Sequence, residues 1–216
     1  MQEMKLRLED VGGGSRTRLL VVLDGPEYQR QMRLLPLLRK LVERGEIRPH
    51  RVALVVPDDR LETYSASARY ARGLAEALAP LKARPVGVGA SLGGLALLHA
   101  HRTHPDLFAG LFLQSGSYFR RRYDRQESGF PRFDRISRFV GRVLQTAERG
   151  GPPRVPVTIT CGSAEENLDN NRAVAAALTD DGWPLEYVEH PDAHNWISWR
   201  DSLHPHLAEL LLRAWA

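Results

Sequence analysis

Short apolar runs alternate with amphipathic stretches along nearly the whole chain. Strands are predicted over residues 18–23, 51–56, 85–88, 110–113, 155–160 and 185–188, each rich in Val, Leu and Ile. That richness fits strands covered on both faces. Helical spacing predicts helices over approximately 29–44, 67–81, 94–102, 135–148, 168–181 and 203–215. In the first of these Met32, Leu35, Leu38, Leu41 and Val42 form an apolar stripe, and Pro36 predicts a kink or a later start. The alternation is that of an α/β fold: a mostly parallel central sheet with helices on both faces.

The pattern breaks at 118–133, which is polar, rich in Arg and interrupted by Gly129-Phe130-Pro131. An irregular segment of this length in a compact domain is usually functional or mobile, so it reads as a lid or substrate-binding insertion. At 216 residues and 43% hydrophobic, the chain can bury one substantial core, and a single domain over 1–216 is expected. No run approaches the roughly 18 consecutive apolar residues of a membrane span. The first ten residues are charged, with no apolar signal region. One cysteine, Cys161, excludes an internal disulfide and fits a reducing compartment. A soluble, cytoplasmic protein is expected. The formal charge of +4 is modest. Its densest basic cluster, Arg120-Arg121-Arg122-Tyr123-Asp124-Arg125, has no recognition helix or RNA-binding signature around it, so neither nucleic acid nor membrane is an expected partner. A solvated loop is the ordinary reading of such a run. An anion-attracting rim beside an active site is the sharper one.

Gly89-Ala90-Ser91-Leu92-Gly93 follows the third predicted strand and opens the third predicted helix. Strand, Gly-x-Ser-x-Gly and helix in that order describe a nucleophile elbow, a sharp turn that lifts a serine hydroxyl above a sheet. Side chains at both flanking glycines are expected to collide across that turn. The pentapeptide alone is weak, with about 0.07 chance occurrences expected for this Gly and Ser content. Its strand and helix context gives it weight.

A serine nucleophile needs a general base, usually His, oriented by an acid, and in this fold class the order is Ser, acid, His. Of eight histidines, His99, His101 and His104 lie in or just after the elbow helix and lead away from the serine. His204 and His206 lie by the terminal helix two residues apart, which also counts against a metal pair. His190 and His194 follow the last strand, and His194 has the tighter loop setting. The acid should follow the preceding strand, where Glu165 and Glu166 both stand, and helix capping is an ordinary explanation for either. No metal or other cofactor is expected.

Four blocks carry a resemblance: Gly89 to Gly94, Leu113-Gln114-Ser115-Gly116-Ser117, Cys161 to Leu168 with Asn171-Arg172, and His194 to Arg200. Together they resemble the enterochelin-esterase-like family of α/β-hydrolases, related to esterase D and the antigen 85 mycolyltransferases. Leu23-Asp24-Gly25 matches the family's Asp-Gly after its first central strand. The resemblance runs from about Leu19 to the C-terminus. It implies an α/β-hydrolase fold, a serine esterase, Ser91 as nucleophile, His194 as base and Glu165 as acid. Relatives carry one or two more leading strands, so the sheet is expected to be trimmed at that edge, with only Leu6 to Leu8 able to supply a strand. The family's Arg-x-x-Glu block appears one residue tighter, as Arg60-Leu61-Glu62.

An oxyanion hole needs two preorganised N–H donors. Leu92 should supply the first. Relatives often take the second from the residue after Asp-Gly, here Pro26, which has no N–H, so Glu27 or Tyr28 is expected to replace it. The expected substrate is a small ester. Arg120 and Arg121 with Tyr118 and Trp196 would suit an anionic aromatic ester of the siderophore type, by stacking and cation–π contact. Transfer to an acceptor other than water, through the same three residues, is an alternative. A hydrolase-like scaffold that binds without turnover is another, motivated by Pro26. Oligomeric state is not legible.

Overall fold

The computed structural model describes residues 4–145 and 154–216. Seven strands form one sheet in the order β1-β3-β2-β4-β5-β6-β7. They are β1 (Lys5–Val11), β2 (Leu19–Val22), β3 (His50–Val56), β4 (Val86–Ala90), β5 (Gly110–Gln114), β6 (Val157–Gly162) and β7 (Leu185–His190). β1 pairs antiparallel with β3, and every other pairing is parallel. All six strands expected from the apolar runs are present, with ends shifted by one or two residues. The seventh, β1, extends the Leu6 to Leu8 alternation across Lys5–Val11.

Strand periodicity sorts the core into two layers. Val21, Ala53, Val55, Leu111 and Leu113 face one layer, and Leu20, Val22, Val52, Leu54 and Phe112 face the other. The first layer is covered by α4 (Ala68–Leu78), α5 (Leu92–Thr103), α6 (Phe133–Leu144) and α7 (Leu168–Asp180), which contribute Leu74, Leu95, Ile136 and Val174. The second is covered by α1 (Gly25–Met32), α2 (Leu34–Glu43), α8 (Trp196–Asp201) and α9 (His206–Ala214), which contribute Tyr28, Leu38, Trp199 and Leu210. A short helix, α3 (Arg60–Tyr64), follows β3.

Two expected helices differ from their spans. The span 29–44 breaks at Arg33, which adopts left-handed backbone (φ 51°), and Pro36 sits harmlessly in the first turn of α2, where a missing N–H costs nothing. The span 203–215 starts only at His206, and α8 precedes it. The expected end of the 135–148 helix lies outside the described residues. Among the described residues no helix is long and apolar enough to cross a membrane.

Chain direction reverses across the sheet between β2 and β4, since β2 is followed in sequence by β3 on one side and then by β4 on the other. The carboxyl ends of strands at such a switch point open a crevice where open α/β sheets bind ligands. Asp24 and Ser91 stand at those two ends.

Candidate active site

β4 ends at Ala90 and α5 begins at Leu92, so Ser91 alone makes the turn. Its backbone lies at φ 55°, ψ −120°, a strained region for a side-chain-bearing residue. Its N–H is held by the Gln114 carbonyl at 2.8 Å. A Cβ on Gly89 would lie 2.7 Å from the Gly93 carbonyl carbon, so strand and helix meet backbone to backbone there. At Gly93 a Cβ would meet its nearest neighbours at an ordinary 3.6 Å. The steric requirement expected at both glycines therefore applies to Gly89 alone.

The loops after β6 and β7 are drawn together by a second close approach. A Cβ on Gly162 would sit 2.3 Å from the Asp192 carbonyl oxygen. This brings Glu165 and His194 side by side: the His194 Nδ1–H donates to Glu165 Oε2 at 2.8 Å, and His194 Nε2 lies 3.1 Å from Ser91 Oγ. The other Glu165 oxygen accepts from Ser115 Oγ at 2.6 Å and from the Gly162 N–H at 2.8 Å. The carboxylate is fully buried. Burial is the largest single influence and opposes its charge, but the hydrogen bonds from His194, Ser115 and Gly162 together hold the carboxyl below its ordinary value. Glu166 is exposed, so of the two adjacent acids only Glu165 meets the imidazole.

Three contacts of this line are visible only in the fold. Ser115 fixes Glu165 and itself accepts from Trp199 Nε1 at 2.9 Å. The Trp199 ring stands edge-on to His194 with centroids 4.9 Å apart. Ser117 Oγ lies 3.0 Å from Ser91 Oγ. Nothing in the spacing of these residues announces these contacts, although Ser115 and Ser117 fall within one of the quoted blocks and Trp199 within another.

The oxyanion donors need correction. Glu27 and Tyr28 both direct their N–H groups to the Asp24 carbonyl at 3.0 Å, closing the first turn of α1, so neither is free for a substrate. Leu92 is the first residue of α5, where N–H groups have no intrahelical acceptor. A cation stands beside the elbow. Arg60 Nε bonds both carboxylate oxygens of buried Asp24 at 3.0 and 3.1 Å, and its Nη2 reaches to 3.5 Å from the carbonyl of Ala90. Burial raises the Asp24 pKa despite that guanidinium.

The substrate-binding expectations also change. Tyr118 is fully buried, folded back across Gly116, and has no face to offer a ligand. Arg120 is half-buried, stacked on Tyr123 at 4.4 Å and tied to Asn170, so it secures the segment to α7. Arg121 is exposed and pairs with Asp134. Trp196 is partly exposed and packs edge-on to Tyr28 and Trp199, extending an aromatic wall from His194. His190, the other histidine after β7, bonds Ser198 Oγ at 2.6 Å. Among the described residues Glu186, His206 and Glu209 bring three ligand atoms within 4.8 Å of one another, but Arg213 already occupies Glu186 at 3.0 Å.

A strained serine on a strand-to-helix turn, at the switch point of a mostly parallel sheet, defines the α/β-hydrolase fold. Solved structures of this fold agree. The chain superposes on the enterochelin esterase of Shigella flexneri with a TM-score of 0.80 at 23% identity, covering 99% of this chain and 56% of that one. A ferulic acid esterase gives 0.69 at 15% identity, covering 97% and 98%. A siderophore hydrolase from Aspergillus nidulans gives 0.64 at 15%, covering 95% and 89%. The chain thus spans a little over half the length of the enterochelin esterase. No protein-family model matches the sequence, and no curated protein matches it.

Proposed function

We propose that this protein is a serine carboxylic-ester hydrolase, built as one α/β-hydrolase domain, that works through an acyl-enzyme on Ser91. The observation that carries the reading is the unbroken hydrogen-bond line from Glu165 through His194 to Ser91. Structural similarity to esterases supports it.

In this mechanism His194 Nε2 takes the Ser91 proton as Oγ attacks the ester carbonyl. Glu165, held ionised by three donors, fixes the Nδ1–H tautomer and stabilises the imidazolium. The tetrahedral oxyanion takes a hydrogen bond from the Leu92 N–H. Arg60, whose guanidinium borders the elbow, takes the place of the backbone donor lost at Pro26. The imidazolium then protonates the departing alcohol, and water, deprotonated by His194, releases the acid. Trp196 and Trp199 wall the acyl or alcohol side and suit a small apolar or aromatic ester. A reducing setting such as the cytoplasm suits the single, buried, unpaired Cys161. The test is hydrolysis of short p-nitrophenyl esters by the wild type and Ser91→Ala. Turnover by the wild type that disappears in the variant is expected, and equal rates would remove Ser91 from the mechanism.

A further inference from the structure

The insertion and α6 (Phe133–Leu144) together form a concavity outside the Ser91 line. Between the insertion's 3₁₀ turn (Arg125–Gly129) and α6 lies a cleft of about 760 Å³, within the size range of small-molecule sites. Its walls carry Arg121, Arg125, Arg132, Arg135 and Arg138. Two carboxylates answer these five guanidinium groups: Asp134 pairs with Arg121, and Glu62 pairs with both Arg132 and Arg135. A surplus of three positive charges remains in one concavity. Arg138 donates through Nε to the Asp134 carbonyl, and neither it nor Arg125 makes an ion pair among the described residues.

The floor is built to hold these groups. Phe119 stacks on Phe133 and meets Phe130 edge-on, with centroids 5.9 and 5.2 Å apart. Of these rings Phe130 and Phe133 line the cleft, beside four exposed arginines and the half-buried Arg135. The first turn of α6 opens in the same wall with no side-chain cap, adding partial positive charge. Like charges gathered this way repel unless a counter-anion joins them.

We propose that this cleft is a binding site for a compact polyanion carrying two or more phosphate or carboxylate groups. Guanidinium forks match the paired oxygens of both groups. The charges line one open concavity of limited size, which favours a small molecule over a nucleic-acid strand. The site is distinct from the Ser91 line. α3 links the two, since its Glu62 holds Arg132 and Arg135 while its Arg60 holds Asp24.

Calorimetric titration with inorganic tripolyphosphate and, separately, citrate tests this, run in Ser91→Ala protein so that the result does not depend on hydrolysis. Saturable binding of at least one probe is expected, weakening with added salt. The Arg125→Ala/Arg138→Ala variant should lose about tenfold or more in affinity. Arg172→Ala, an exposed arginine on α7 outside the cleft, should bind as its parent does. Neither probe binding would overturn the proposal. So would undiminished binding by the double variant with its far-UV spectrum retained, or an equal loss in Arg172→Ala.

Discussion

Glu165→Gln isolates the role of the acid because the structure fixes how the amide must sit. Oε1 accepts from the Gly162 N–H, a backbone donor that cannot turn away, and from Ser115 Oγ, which already accepts from Trp199. Placing the amide nitrogen there would set donor against donor in a buried site, at a cost of about 1–3 kcal/mol for the group left unsatisfied. The glutamine oxygen therefore stays at Gly162, and its NH₂ faces His194 Nδ1. That nitrogen must then accept, the ring proton moves to Nε2, and the imidazole presents an N–H to Ser91 where a lone pair is needed. Inverting the tautomer in such a line costs about 10⁴-fold in kcat, or roughly 5 kcal/mol of barrier. The assay is steady-state hydrolysis of p-nitrophenyl butyrate, with far-UV spectra showing that the fold is kept. A folded variant within about tenfold of wild-type kcat would refute the tautomer argument.

Further outcomes follow from the same contacts. The Glu165 pKa is lowered on folding, so its contribution to stability is present above the ordinary carboxyl value and is lost as pH falls through the folded one. The melting-temperature gap between wild type and Glu165→Gln should therefore shrink on acidification below about pH 4.5 and not on raising the pH from neutrality. Ser115→Ala strips a donor from Glu165 and an acceptor from Trp199, and urea denaturation should show a loss of about 1–3 kcal/mol. Gly162→Ala puts a methyl on the Asp192 carbonyl and must push the His194 loop away, so kcat should fall sharply while α-helical content is unchanged. Arg60→Met removes the cation at the elbow. A fall of about 10²-fold in kcat with little change in KM is expected, and an unchanged kcat would return the second oxyanion donor to the backbone.

The parallel core was legible because each of its strands is an apolar run too short to be a helix and bounded by turns. β1 was faint for the opposite reason: in Lys5-Leu6-Arg7-Leu8 only Leu6 is even partly buried, and its alternation covers few residues. The break at Arg33 carries no Gly or Asn to mark left-handed backbone, so spacing could not show it. Ser91, Glu165 and His194 could be picked out by motif, fold order and resemblance. The bond between Ser115 and Trp199 could not, since it forms only once the end of β5 and α8, 84 residues apart at this contact, are packed side by side. Pro26 marks a missing N–H after Asp24-Gly25, but only the fold shows that Arg60 holds Asp24 and reaches toward the Ala90 carbonyl. Tyr118 looked available because aromatic residues in a polar segment suggest exposure, whereas the insertion turns it inward against Gly116.

The most direct test of the account is the covalent intermediate itself. Protein mixed with a p-nitrophenyl ester, quenched in acid within milliseconds and digested for mass spectrometry should carry the acyl group on Ser91. Acylation should be slowed several orders of magnitude in His194→Ala and absent in Ser91→Ala. Ester turnover with no acyl mass on the peptide containing Ser91, or with an adduct elsewhere in the chain, would contradict it.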